Sequence, residues 1–162
     1  MSASTRIGST APGGTGARPY ASSCALTVGG LALIGVGLYF LFIRPSLLPE
    51  DLRYMGTTLE HVTSTAPGLL SWLPKVFAVL GGYITSTGIL TCYLAWTSLR
   101  ARAPAALAVA WFSGAMSMGL MVAVNFVIHS DFRWLLLLLV LPWLATTFLY
   151  WRETASTEMQ KS

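Results

Sequence analysis

Four long stretches of apolar residues dominate the hydrophobic pattern of the chain. They cover about residues 21–43, 76–99, 105–128 and 134–151, and no Asp, Glu, Lys or Arg lies in their interiors. A helix needs about 20 apolar residues to cross a hydrocarbon core that is about 30 Å thick. The pattern therefore predicts an all-α, polytopic membrane protein with four transmembrane helices.

The connections between these stretches predict how the helices are arranged. The second and third connections are short, so neighbouring helices should run antiparallel in a four-helix bundle. The first connection is longer, and we expect two short helices in it. Pro49 followed by two acids is typical of a first helical turn, and Gly56 can end that helix. Thr57 and Glu60 have the capping-box spacing of a second helix, and residues 69–73 look like an interfacial stretch.

The basic residues indicate an orientation in the membrane. Residues 1–20 are rich in small and polar residues and are predicted to form a disordered tail. Residues 152–162 form the predicted C-terminal tail. Because basic residues are in excess on the cytoplasmic side, both termini are predicted to be cytoplasmic. That side would carry Arg6, Arg18, Arg100, Arg102, Arg152 and Lys161, against Arg44, Arg53, Lys75 and Arg133 on the other.

The composition excludes several classes of protein. Only 10% of the residues are charged and 54% are hydrophobic, whereas soluble chains are about 25% charged. The basic residues are scattered singly, unlike the clustered patches of nucleic-acid-binding proteins. The partner that the composition predicts is the lipid bilayer, and no nucleic acid.

Small residues at helical spacing indicate where the helices pack. Helices in lipid associate through close contacts at small residues. The second apolar stretch repeats Ala78, Gly82 and Ser86 on one face, and the third places Ala110 and Gly114 on one face. We expect these two faces to meet.

Asn125 is the most polar residue deep inside an apolar stretch. Its side chain could contact a ligand inside the bundle, or it could form an interhelical hydrogen bond with Thr85 or Ser117. Met118 and Met121 lie on the same predicted face and could line a flexible apolar pocket or fill gaps in the core. These five residues are the candidate ligand-binding set.

A second polar group lies in the predicted loops on one side of the membrane. It consists of His61, His129, Asp131, Arg53 and Arg133. Imidazole and carboxylate groups can bind zinc or exchange protons near neutral pH. His129 and Asp131 offer at most two ligands, however, and an ion pair of Asp131 with Arg53 or Arg133 is a simpler interpretation. We therefore predict no metal site and no cofactor.

Absent motifs argue against transport and catalysis. Proton-coupled transporters depend on a carboxylate inside the membrane, and none of the four apolar stretches contains one. The sequence also has no nucleophile with a base partner, no HExxH and no glycine-rich phosphate loop. No catalytic residue is predicted.

Three stretches resemble a bacterial family. They are LLPEDLRYMG, VLGGYITSTGIL and NFVIHSDFRW. A short acidic motif followed by a Gly-Gly-x5-Gly helix is similar to a bacterial domain of unknown function that is related in layout to the DoxX-like proteins. The resemblance covers about residues 21–151. It implies a compact bundle in a bacterial inner membrane and implies no activity.

Three hypotheses for function follow from the sequence. The first is a non-enzymatic bundle that binds another copy of itself or a larger membrane complex. The second is a binder of a lipid or hydrophobic small molecule, with a pocket near Asn125 that is roofed by the first connection. The third is a membrane enzyme that uses His61, His129 and Asp131.

Overall fold

The computed structural model describes residues 20–159, apart from the side chains of 157 and 158, and all regular structure in that range is helical. Nearly all of the tail predicted over residues 1–20 lies outside the described residues. Two π-helical segments, Ala95–Leu99 and Ala115–Gly119, extend α4 and join α5 to α6. The helices are α1 (Ala21–Phe42), α2 (Pro49–Met55), α3 (Leu59–Thr65), α4 (Pro67–Leu94), α5 (Ala106–Gly114), α6 (Leu120–Val127), α7 (Arg133–Leu138) and α8 (Leu141–Met159).

Four helical stretches of the described chain are long and apolar enough to cross a membrane. We call them the first to fourth spans, and they are Ala21–Phe42, Pro67–Leu99, Ala106–Val127 and Arg133–Ser156. Many of their large apolar side chains are exposed, as expected where the solvent is hydrocarbon. The predicted class, a polytopic four-helix membrane bundle, is confirmed.

The second span begins at Pro67, nine residues before the expected start, so the expected interfacial stretch is its first two turns. Proline suits a first turn because its missing N–H would be unpaired there anyway. Pro74 lies inside the helix and cannot donate to the carbonyl of Leu70. The hydroxyl of Ser46 donates to that carbonyl instead, at 2.9 Å. This hydrogen bond also ties the first connection to the second span.

The fourth span is interrupted between Leu138 and Leu141, where we expected one continuous helix. Pro142 has no N–H to offer the carbonyl of Leu138, so the regular hydrogen-bond ladder cannot continue there. The next amide, that of Trp143, donates to Val140 at 3.0 Å. The proline therefore divides the span into α7 and α8.

The two short helices of the first connection follow local rules. Pro49 begins α2, and Gly56 ends it with a φ of 64°, a left-handed conformation that glycine adopts without strain. The cap of α3 is Thr58 and not Thr57, because the Thr58 hydroxyl accepts the amide of His61 at 3.3 Å. The capping residue predicted for this helix, Thr57, is therefore wrong by one position.

Paired glycines hold the first and second spans together. Gly30 lies against Gly88, and Gly37 lies against Gly81. A Cβ added to Gly88 would lie 2.6 Å from the carbonyl oxygen of Gly30, and one on Gly81 would lie 2.7 Å from that of Gly37. Because no side chain can fit between them, the two backbones are in direct contact at two points. The two glycines of each helix are seven residues, or about two turns, apart.

This contact corrects the expected pairing of the second and third spans. A Cβ on Gly82 would meet nothing within 4 Å, and Ser86 is exposed. The neighbouring face, with Gly81 and Gly88, packs against the first span instead. That face allows the closest approach of the two helices because Gly30 and Gly37 of the first span lie opposite it.

Trp143 connects the third and fourth spans to the first. The residue is 3% exposed. Its Cζ3 lies 3.0 Å from a Cβ built on Gly29, and its Cδ1 lies 2.6 Å from one built on Gly114. The indole N–H donates to the carbonyl of Ala110 at 3.1 Å. Small residues on two helices thus make room for one large ring, whose polar atom is also satisfied. Ala110 and Gly114, both predicted packing residues, contact Trp143 of the fourth span.

A network of polar residues joins the spans at the end of the bundle that lies away from the first connection. One carboxylate oxygen of Glu153 accepts the backbone N–H of Ser22 at 3.1 Å, and the other accepts its hydroxyl at 2.6 Å and pairs with Arg102. The Arg102 guanidinium lies over the rings of Tyr20 and Tyr150, 4.6 and 4.2 Å from their centroids. The first span has no side-chain cap of its own, so a residue of the fourth span caps it.

The glycine contact can be tested at two adjacent positions. We expect Gly81→Ala to lower the free energy of unfolding by about 1–3 kcal/mol, because the new methyl group overlaps the Gly37 carbonyl. Gly82→Ala should be neutral or slightly stabilising, since open space surrounds it and alanine favours the helix. Unfolding in mixed micelles measures both. Equal effects of the two variants would contradict the packing.

The network at Glu153 predicts a contrast between two acids. Glu153→Gln should destabilise the protein by about 1.5–3 kcal/mol, because it removes charge-assisted hydrogen bonds to Ser22 of the first span and to Arg102 of the second connection. Asp131→Asn removes an exposed ion pair with Arg53 and should cost at most about 1 kcal/mol. The same unfolding assay compares them, and a larger effect at Asp131 would refute the assignment.

Candidate functional site

A cavity of about 1040 Å³ lies between the four spans, at the end of the bundle that carries the first connection. All four spans contribute to its wall, and residues 48–51 of the first connection close part of one end. The cavity is a half-open cleft, because several lining residues such as Tyr83, Leu120 and Leu135 are exposed. Asn125 and Met121, two residues of the candidate ligand-binding set, lie in its wall.

The cavity exists because the spans are held together unevenly. The glycine contacts keep the second span along the first, and Trp143 holds the third span near Gly114. Beyond that point, the second and third spans do not pack along each other. The residues of α6 therefore line an open space where a tightly packed bundle would have a core.

Most of the cavity wall is apolar. The third span contributes Met116, Leu120, Met121 and Val124, and the fourth contributes leucines, Leu135, Leu136 and Leu139. The hydroxyl of Ser117 also lies in the wall, but it donates to the carbonyl of Ser113 at 2.7 Å. Such a bond within one helix hides the polarity of the hydroxyl. The wall thus suits hydrocarbon.

One end of the cavity is polar and is built from Glu50 and Ser130. Glu50, in the first turn of α2, is 3% exposed, and Ser130, just after the third span, is 1% exposed. The Ser130 hydroxyl donates to Oε1 of Glu50 at 3.2 Å and accepts the amide of Phe132 at 3.2 Å. A single side chain therefore positions both the buried carboxylate and the start of the fourth span.

Arg44 and Asp51 complete the polar end. Their side chains form an ion pair at 3.2 Å, and the same Asp51 oxygen accepts the amide of Leu48 at 2.9 Å. The guanidinium lies 3.6 Å from the centroid of the Phe77 ring and 5.3 Å from that of Phe40. Arg44 is therefore fixed by both an anion and two aromatic rings.

The structure places three of the five predicted ligand-binding residues in the cavity wall and two elsewhere. Asn125, Met121 and Ser117 lie in the cavity wall, whereas Met118 is 1% exposed within the core. Thr85 lies beside Gly37 of the first span, and its hydroxyl donates to Gly81. Neither Met118 nor Thr85 lines the cavity.

The Asn125 side chain uses one end of its amide within its own helix. Its NH₂ group donates to the carbonyl of Met121 at 2.8 Å. This bond is therefore not the interhelical hydrogen bond that the sequence suggested, and it does not by itself indicate a ligand. In the described part of the chain no group donates a hydrogen bond to its side-chain oxygen, which leaves that oxygen in the cavity wall as an acceptor.

The predicted loop cluster is only partly brought together. Arg53 and Asp131 form an exposed ion pair at 3.3 Å. Arg133 lies near the rings of Phe126 and Trp134. Within residues 20–159, no three His, Cys, Asp or Glu side chains are grouped as metal ligands. His61 and His129 are both exposed.

Sequence reasoning did not select Glu50 and Ser130 as site residues. Glu50 was interpreted as an acid at a helix start, where it favours the helix dipole, and as one of the charged loop residues on the side of His61 and His129. Its signal was its place directly after Pro49, in a loop already expected to cover the bundle. Ser130 had no signal beyond its position between His129 and Asp131.

The fold and this cavity define the class of the protein: it is an integral membrane protein with four transmembrane helices and a half-open internal cavity. Comparison of the chain with protein-family models, curated proteins and solved structures gave no match. The layout shared with the DoxX-like proteins therefore stays a resemblance.

The role of Ser130 can be tested by removing its hydroxyl. Ser130→Ala should lower the free energy of unfolding by about 1–3 kcal/mol, because Glu50 and the Phe132 amide both lose their buried partner. Ser64→Ala is the matched control, since that exposed hydroxyl bonds only within its own helix. Equal stability of the two variants would contradict the buried contact.

Proposed function

We propose that this protein is a non-enzymatic membrane protein that binds a lipid or another amphiphilic small molecule in the cavity between its spans. The observation that carries the proposal is the cavity itself, which combines long apolar walls with a buried acid at one end. The apolar part of the ligand would lie along Met121 and Leu136. Its polar head would reach Glu50.

The dimensions and the rim of the cavity support this proposal. Small-molecule sites have volumes of about 300–1,000 Å³ and are mostly apolar, with a few polar groups, and the cavity of about 1040 Å³ fits that description. Exposed apolar residues of the second and third spans, Tyr83 and Leu120 among them, form part of its rim. A molecule dissolved in the bilayer can therefore reach the cavity from the side.

The helix geometry of the wall gives further support. Met116 and Ser117 belong to the π-helical segment Ala115–Gly119. Such segments are rare in proteins, and many of those that occur lie at functional sites. Two of the five residues of this segment thus line the cavity.

A second candidate is the binding of another copy of the chain or of a larger membrane complex. The face with Ala78, Gly82 and Ser86 favours it, because a Cβ on Gly82 would meet nothing within 4 Å. A small-residue face that is left open within one bundle is suited to contact another helix. The enzyme hypothesis has less support, since in the described residues only Arg53 and Asp131 of the loop cluster form an ion pair.

We place the protein in a bacterial inner membrane with both termini in the cytoplasm. The excess of basic residues on the side of the termini, six against four, supports the orientation. The bacterial inner membrane is proposed from the sequence resemblance alone. In this orientation, the polar end of the cavity faces the outer side of the membrane.

Native mass spectrometry of the protein, gently extracted from its own membrane, tests the proposal. The wild type should retain a small molecule or a defined lipid. Met121→Trp should lose most of this mass, because the larger ring fills the cavity. Val109→Trp, an exposed position on the same span that does not line the cavity, should retain it.

Two other results would contradict the proposal. Equal retention by the Met121→Trp variant and the wild type would place the bound molecule outside the cavity. A bare oligomer, or a complex with another protein and no small molecule, would instead favour the open face of the second span as the functional surface.

A further inference from the structure

Glu50 is a buried acid whose partner is neutral. The residue is 3% exposed, and its hydrogen-bond partner is the hydroxyl of Ser130. Glu50 takes no part in the ion pairs Arg44–Asp51, Arg53–Asp131 and Arg102–Glu153 of the described residues.

The charge at this end of the cavity is unbalanced. The charged residues of the lining are Arg44, Glu50 and Asp51. Arg44 is held by Asp51 at 3.2 Å and by the ring of Phe77, so its charge is already neutralised. One negative charge is left in excess, and it lies on Glu50.

A carboxylate that is removed from water needs more than one neutral hydrogen bond to compensate its charge. The first turn of α2 favours the anion, but α2 has only seven residues. A group that brings both a positive charge and N–H donors compensates the carboxylate fully. An anionic head group would instead meet the excess negative charge.

We propose that the ligand of the cavity is a cationic amphiphile, with an ammonium group bound to the Glu50 carboxylate and a hydrocarbon part along the apolar walls. This inference rests on the proposed function and names the chemistry of its ligand. Ser130 positions the carboxylate, and the apolar walls from the third and fourth spans bind the chain.

The test compares two probes that differ only in the head group, dodecylamine and 1-dodecanol. The full-length protein is placed in nanodiscs of zwitterionic lipid, and equilibrium dialysis of the radiolabelled probes is corrected with empty nanodiscs. The wild type should bind the amine at least about tenfold more tightly than the alcohol, as expected for a charge-assisted hydrogen bond. Glu50→Gln should bring this ratio close to one.

Two variants keep the test independent of folding defects. Glu60→Gln removes an exposed acid from the same loop region and should leave the ratio unchanged. Glu50→Asp keeps the charge and should retain part of the preference. Because the ratio compares two probes on one sample, a smaller folded fraction does not change it.

The outcomes separate this inference from the proposed function. Equal binding of amine and alcohol by the wild type, or an unchanged ratio in Glu50→Gln, would overturn the cationic head group and leave an amphiphile-binding cavity. Absence of binding for both probes would overturn the inference and weaken the proposed function with it. A preference for the amine that depends on Glu50 supports both.

Discussion

Direct backbone contact between the first two spans is the constraint on which the rest of the structure depends. Gly30 with Gly88, and Gly37 with Gly81, leave no space for a side chain between the helices. In hydrocarbon there is no hydrophobic driving force between apolar helices, so close packing must supply the attraction. The third and fourth spans are added to this pair through Trp143 and through the network at Glu153.

The partners of polar groups differ with their depth in the bundle. Within the spans, hydroxyl groups such as those of Thr85 and Ser117 donate to carbonyls of their own helices, and the carbonyl that Pro74 leaves free is paired with Ser46. Unpaired polar groups are costly in lipid. Charged residues that contact more than one helix are found at the two ends of the bundle. Glu153 fastens one end, whereas Glu50 lies at the cavity.

The features that depend on local rules could be predicted from the sequence. The four spans follow from the length of apolar runs, and α2 follows from a proline at its start and a glycine at its end. The capping residue of α3 was misplaced by one position because Thr57 and Thr58 are neighbours and have the same hydroxyl group. The break in the fourth span was missed, although Pro142 was visible in the sequence.

Features that depend on distant partners could not be predicted. The second span has small residues on two adjacent faces, and only the glycines of the first span decide that Gly81, not Gly82, is in the contact. Asn125 was selected for its polarity deep in a span and Met121 for its place on the same helix face, and both lie in the cavity wall. The burial of Glu50 depends on Ser130, a residue 80 positions away in the chain.

The seven-residue spacing of the glycine pairs has a mechanical consequence. Sliding one span by a single turn, about 5.4 Å, would bring side chains into both contact points at once. The glycine contacts therefore fix the register of the first two spans. Any change in the volume of the cavity has to come from the other wall, where α6 and α7 form a hairpin that lies beyond the Trp143 contact and the break at Pro142.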